Sequence, residues 1–334
     1  MTAVLAAIGC LLTGCIEQRL RKDFTRGDRS LLTSSGMTLA LCGTGTGLAD
    51  AHRAGPCTAI VAAGRLFFVD VGPGAFESAD LGGLPITALD TVLFTKLLAD
   101  DVADLGEVIV RSWLAGRDRP LQVYGPPGTA RVVRDVVDVV GFDVAMRLGR
   151  HTAQVLRPEL ATAAAHELRF ASDDDAVTVL DEDGLHVTAF AVGRIGGVIK
   201  VGYRFDYRGR SIVISGHGRR HPNVVRFAAG ADVLVHEAAN HEMIERGVDV
   251  LKALGQARSA SFAHESLQSH ATPIEAAEDA RDAGVGLLVL TQLYPGPNTV
   301  LTRWKFMQGV RDVFANTQLG EDGLRVYLDP RPAP

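Results

Sequence analysis

Val92-Leu93-Phe94-Thr95-Lys96-Leu97-Leu98-Ala99-Asp100-Asp101 decides how the rest of the chain is read. It opens as a short apolar run, closes at a threonine, and passes into a segment with a lysine and two adjacent carboxylates. A short apolar run bounded by polar residues reads as a strand buried on both faces. Upstream, Phe68-Val69-Asp70-Val71-Gly72-Pro73-Gly74 has the same texture, stopped by Gly-Pro-Gly. Further out, residues 37–42 and 57–62 read as strands, the first broken by Gly43-Thr44-Gly45-Thr46-Gly47. Residues 104–114 and 129–140 carry apolar side chains at helical spacing, with a strand at 121–124 between them.

The second half repeats the pattern. Strands are expected at 176–180, 185–192, 201–207 and 211–215, the last two joined as a hairpin through Arg208-Gly209-Arg210. Short strands at 232–236, 287–291 and 324–328 alternate with a helix at 273–283, capped by Thr272, and a long helix at 299–314. Runs of hairpins with helices between them argue for an α/β (α+β) domain. Two sheets pack face to face and helices cover both outer faces, a four-layer αββα sandwich.

Composition sets outer limits. The 334 residues are 47% hydrophobic and 22% charged, which supports a large core and argues against bulk disorder. The balance of 34 basic and 39 acidic residues gives −5, so net charge does not support a nucleic-acid partner. The glycine-rich loop at 43–47 is followed by neither GxxxxGK[ST] nor Rossmann spacing, so it reads as a tight loop at a site's rim. No CxxC pattern marks a structural zinc.

The N-terminus divides into residues 1–15, read as a signal peptide, 16–35, read as a linker, and 36–330, the main domain. The apolar run 3–12 ends in Leu12-Thr13-Gly14-Cys15, which resembles a lipobox. Acylation of Cys15 would tether the chain to the bacterial cell envelope, facing the periplasm or exterior. No Lys or Arg precedes the run, and the alternative is a greasy N-terminal element on a cytoplasmic protein. Cys42 and Cys57 then remain as either a disulfide or two buried thiols.

The order of Leu41-Cys42-Gly43-Thr44-Gly45, the Asp70 segment, the Phe94-Thr95 strand end, Asp104-Leu105-Gly106-Glu107, Val201-Gly202-Tyr203-Arg204, Ile214-Ser215-Gly216, Val235-His236-Glu237-Ala238 and Leu288-Val289-Leu290-Thr291 resembles metallo-β-lactamase-fold hydrolases of the ribonuclease Z and arylsulfatase-like group. The resemblance covers roughly residues 39–328. It implies a His-x-His-x-Asp-His signature after the strand end, where side chains on one tight loop hold two divalent metals that share a hydroxide. Here Lys96 and Leu98 stand at the first two histidines, Asp100 fits, and Asp101 replaces the last histidine. Arg194 stands eight residues before Gly202-Tyr203, at another expected histidine. His217 holds the place of the bridging aspartate and Gln292 that of the final histidine. Protonated lysine, leucine and arginine offer a metal no lone pair.

The resemblance therefore implies a protein that has lost dinuclear zinc hydrolysis, a pseudoenzyme whose pocket binds a small ligand or whose surface binds a protein partner. No cofactor is expected, and Lys96 and Arg194 should neutralise Asp100 and Asp101. One alternative is a metal-dependent phosphodiesterase, sulfatase or other ester hydrolase. It would use a single rebuilt site of Asp100, Asp101, His217 and Gln292 for one Mn, Mg, Fe or Zn ion. Another is a structural homodimer subunit. His236 and His270 match histidines that assist phosphate binding or proton transfer, and are candidate catalytic residues beside Glu237. Ser215 and His217 lie two apart on one strand end and could touch as a nucleophile pair.

Overall fold

The computed structural model describes residues 14–20 and 27–331. Among them two seven-stranded mixed sheets lie face to face. The first sheet contains β1 (Met37–Gly43), β2 (Cys57–Ala62), β3 (Arg65–Val69), β4 (Leu89–Leu93), β5 (Leu121–Gly125) and β6 (Ala163–Glu167). The second contains β7 (Ala176–Glu182), β8 (Leu185–Ile195), β9 (Val198–Tyr207), β10 (Arg210–Ile214), β11 (Val233–Ala239), β12 (Leu287–Tyr294) and β13 (Thr317–Leu319). The last strand, β14 (Arg325–Leu328), returns to pair with β1, so the C-terminus closes the first sheet.

Alternation along the strands builds the layers. On β1, Met37, Leu39 and Leu41 point into the space between the sheets and meet Val187, Tyr203, Phe205 and Val235 from the second. Ala40 and Cys42 point the other way, into a core under the helices Ala75–Leu81, Leu105–Ala115 and Thr129–Leu148. The outer face of the second sheet buries Val213, Leu234, Leu288 and Leu290 against the helices Pro222–Ala228 and Pro273–Ala283. This is the expected αββα sandwich, with side chains of period two feeding opposite cores.

Several local expectations hold in detail. Thr272 and Glu275 form a reciprocal capping box at the start of Pro273–Ala283. The β9–β10 hairpin turns through Arg208 at φ 48° and Gly209 at φ 73°, two positive values in a row as a tight two-residue turn requires. Other expectations are corrected. The helix from Thr129 runs on to Leu148 because the solvated face past residue 140 stays helix-compatible. The single helix expected over 299–314 divides into Val300–Phe306 and Val310–Val313, because Gly309 adopts φ 76°. Strands β6 and β13 and the helices Ala75–Leu81, Pro222–Ala228, His241–Ala253 and Ala257–Ser266 are not anticipated from the sequence. Residues 14–20 are helical, and the short helix Ser30–Thr33 buries Leu31 in the first core. The apolar run 3–12 lies outside the described residues. Among the described residues no helix is long and apolar enough to cross a membrane.

Candidate active-site pocket

The loops that carry chemistry gather at one end of the sandwich. They come from the ends of β1, β4, β10, β11 and β12, the tip of the β8–β9 hairpin, and the helix Ala257–Ser266. Together they surround a cavity of about 380 Å³.

Its base is fixed by Asp70, which follows β3 in the left-handed region at φ 60°. The Asp70 carboxylate accepts hydrogen bonds from Thr95 N–H at 2.8 Å and Thr95 Oγ1 at 2.7 Å, tying together the ends of β3 and β4. That anchor sets the direction of the loop that begins at Lys96. The sequence reading gave Asp70 no role. The available signal was a lone aspartate at the end of an apolar strand, just before a turn.

Lys96 turns inward. Its side chain is 2% exposed, and its Nζ lies 2.5 Å from Oδ1 of Asp101, which is fully buried. Burial disfavours the Lys96 charge, but Asp101 and Asp70 more than offset it, and its pKa is raised above 10.5. Burial pushes the carboxyls up, Asp70 to about 8 and Asp101 to about 6. Near neutral pH this leaves Asp70 protonated and Asp101 ionised against Lys96, so the buried trio carries no net charge. Oδ2 of Asp101 is buried without a partner.

A second cluster stands beside it. Glu237 on β11 is 1% exposed, and its Oε2 lies 2.7 Å from His217 Nδ1 and 3.1 Å from His270 Nδ1. Its Oε1 accepts the Gly218 N–H at 2.7 Å. Burial works against the Glu237 charge, but His217 and His270 outweigh it and hold the carboxyl well below its usual range. Burial pushes His217 below its ordinary value, so the ring is neutral near pH 7. Gln292 Oε1 lies 3.3 Å from His217 Nδ1, and the His217 and His270 rings meet edge to face at 4.4 Å. The Nδ1 atoms of both rings face Glu237, so the carboxylate behind them orients the two imidazoles.

The geometry sorts the residues singled out in the sequence. Lys96, Leu98, Asp100, His217, His270 and Gln292 line the cavity, and Asp101 lies beneath it. Arg194 does not join them. It is half exposed, pairs with Asp173 at 2.6 Å, and donates to Gly197 O. Side chains alternate along the hairpin, so the neighbour that reaches the cavity is Ile195. The expected neutralisation of Asp100 and Asp101 by two cations therefore reduces to one pair, Lys96 with Asp101. His236 also leaves the site, because it points to the opposite face of β11 from Glu237. There its Nδ1 bonds Glu237 O, and its Nε2 lies 3.5 Å from Asp279 under the helix Pro273–Ala283. Arg220 holds the other oxygen of Asp279, so His236 belongs to the core network. Ser215 Oγ donates to Gly216 O and not to His217, which removes the nucleophile pair.

The donor set does not suit two bridged divalent metals. An ammonium is seated among the expected ligand positions, Leu98 has no donor, and Arg194 is turned away. The four residues expected to hold a single ion do not converge either, because Asp101 is committed to Lys96 beneath the cavity. Among the described residues, the set with ligand atoms all within 4.8 Å of one another is His217, Glu237 and His270. All three appear in the sequence reading, but His217 as a metal position and His270 with Glu237 as part of a separate catalytic group.

The rim loop after β1 is held from both sides. Cys42 and Cys57 are disulfide-bonded across its base, which settles the choice between a disulfide and free thiols in favour of the bond. Arg53 donates to Thr44 Oγ1 and Gly320 O, while Asp322 accepts from Thr44 and Ala54 N–H groups. The glycine-rich stretch 43–47 is thus a loop at the site's rim, and Gly47 passes so close to the Asp100 carboxylate that a Cβ there would lie 2.2 Å from Oδ1.

Comparison with known proteins matches this frame. Over 295 residues the chain is 30% identical to a ribonuclease Z of Mycolicibacterium paratuberculosis, covering 87% of this chain and 98% of that protein. Over 262 residues it is 34% identical to a ribonuclease Z of Mycobacterium marinum, covering 77% and 86%. The chain belongs to the ribonuclease Z group of the metallo-β-lactamase superfamily. Among solved structures, a metallo-β-lactamase fold protein of Bacillus subtilis superposes with a TM-score of 0.61 at 16% identity, covering 87% of this chain and 99% of that one. The short form of human tRNase Z superposes at 0.60 and 19% identity, covering 86% and 98%. At those identities the agreement concerns the fold. No family model matches the chain. Within the ribonuclease Z group, then, this member presents the group's fold around a pocket whose donors are arranged differently from the dinuclear signature.

Proposed function

We propose that this metallo-β-lactamase-fold protein has given up dinuclear-metal hydrolysis and uses the pocket to bind a small molecule. One observation carries the reading: the buried Lys96–Asp101 ion pair, seated where the group's first metal ligands are expected. A lysine held charged by Asp101 offers no lone pair, and it repels a divalent cation placed beside it. The remaining groups can still bind, orient and exchange protons with a ligand.

The test is metal content, by elemental mass spectrometry, of protein purified without chelator and then soaked in Zn, Mn, Fe and Mg. Substoichiometric metal under every condition is the expected result. A second reading, a mononuclear metal-dependent ester hydrolase, is favoured by the convergence of His217, Glu237 and His270. One tightly held equivalent, lost in His270→Ala and accompanied by phosphodiester hydrolysis that a chelator abolishes, would replace the first reading with the second.

The envelope assignment also stands as a proposal. A disulfide between Cys42 and Cys57 persists best in an oxidising compartment, and Cys15 is exposed and unpaired. Metabolic labelling with an alkyne fatty acid should mark the native protein and not Cys15→Ser. Unlabelled protein in the cytosolic fraction would favour the cytoplasmic alternative.

A further inference from the structure

The walls of the pocket say more about its ligand than its floor does. Leu48, Leu98, Ile195 and Phe262 stand around the opening, on four separate segments. They are 53%, 38%, 40% and 67% exposed, so each leaves apolar surface in water at the same mouth. Scattered exposed apolar residues are ordinary, but several converging on one concavity mark a place that apolar surface is meant to cover. The cavity of about 380 Å³ falls within the range of small-molecule sites.

Charge points the same way. The cavity lining includes two carboxylates, Asp100 and Glu265, and no arginine. Its one ammonium, Lys96, is spent on Asp101. Below them, Glu237 lies behind the rings of His217 and His270, whose Nδ1 atoms face it. A phosphate or an RNA 3′ end entering here would meet two carboxylates, with no arginine and no unpaired ammonium in the lining to bind it. A positively charged group that donates hydrogen bonds meets complementary carboxylates at Asp100 and Glu265.

We propose that the pocket takes an amphiphilic amine, with an apolar body against Leu48, Leu98, Ile195 and Phe262 and an amino head at Asp100 and Glu265. The inference rests on the metal-free reading of the site. A matched series of hexylamine, hexanol and hexyl phosphate, titrated calorimetrically into the full chain with metal content measured in the same samples, tests it. Hexylamine should bind most tightly, with hexyl phosphate weaker by roughly ten-fold or more. Asp100→Asn with Glu265→Gln should narrow the gap between amine and alcohol, and Phe262→Ser should weaken both together. Both sets of changes lie at partly exposed positions, so they leave the cores intact. Metal-free protein that prefers hexyl phosphate, or that binds none of the three, overturns the amine assignment and leaves the metal-free reading standing. A stoichiometric metal, whatever the ligand order, overturns the metal-free reading first.

Discussion

Replacing Lys96 by methionine removes one half of a buried ion pair and leaves the volume of the side chain nearly unchanged. Lys96 and Asp101 are 2% and 0% exposed, so water cannot compensate the carboxylate once the ammonium is gone. Breaking a buried pair by deleting one partner costs about 3–5 kcal/mol. Asp101 has one escape, which is to take a proton. Burial already raises its carboxyl to about 6 with Lys96 beside it, and loss of the cation raises it further. A carboxyl whose folded pKa lies above its unfolded value adds stability below the unfolded pKa and loses it as pH rises through the folded one. The penalty of Lys96→Met should therefore be largest at pH 8. At pH 5 it should fall to the ~1–3 kcal/mol of an unsatisfied buried polar group. At roughly 2 °C per kcal/mol for a chain of this size, melting should drop by ~6–10 °C at pH 8 and clearly less at pH 5. Adding Asp101→Leu should restore most of the loss, because exchanging both partners of a buried pair for apolar groups is often neutral or stabilising. Differential scanning calorimetry of the wild type and the two variants at both pH values decides it. A small, pH-independent loss in Lys96→Met, or a double variant worse than the single one, would refute the assignment of Lys96 as the cation that neutralises Asp101.

Three further outcomes follow from the same geometry. Asp70, raised by burial to about 8, holds a proton in the folded state that the unfolded chain has released; its contribution is whole below about pH 4 and fades as pH rises to 8, so wild-type melting should decline over that window and decline less in Asp70→Asn. Identical slopes in the two proteins would count against it. The Cys42–Cys57 bond closes a sequence separation of 15, and Cys42→Ser with Cys57→Ser should cost ~3 kcal/mol in chemical denaturation, with added reductant producing the same shift in the wild type. Arg194→Ala breaks only a surface pair with Asp173 and should leave melting, metal content and ligand binding unchanged; a change in metal or ligand binding would return position 194 to the pocket.

What the sequence makes legible follows from how local each signal is. Burial patterns are local, so most strands of both sheets, though not β6 or β13, and the capped helix at Pro273 can be read directly, and their order resembles one fold group. The loop Lys96–Asp101 was equally legible, because its ligand positions lie within a few residues of each other. Direction was harder. Arg194 and His236 were selected by position along the chain, yet each sits one residue from a neighbour that faces the pocket, Ile195 and Glu237. In an extended strand a shift of one residue reverses the face. The β8–β9 pairing carries an irregularity between Ala191 and Arg194, so spacing counted back from Gly202 does not fix which side chain turns inward. The apolar mouth was not legible at all, since Leu48, Ile195 and Phe262 come from distant segments outside any motif, and Leu98 reads along the chain only as a missing ligand. A search for ligand motifs looks for groups that react, and it passes over groups that select. The residues at the expected ligand positions can be read one by one along the chain, while the side chains that line the mouth become visible only when the loops are brought together.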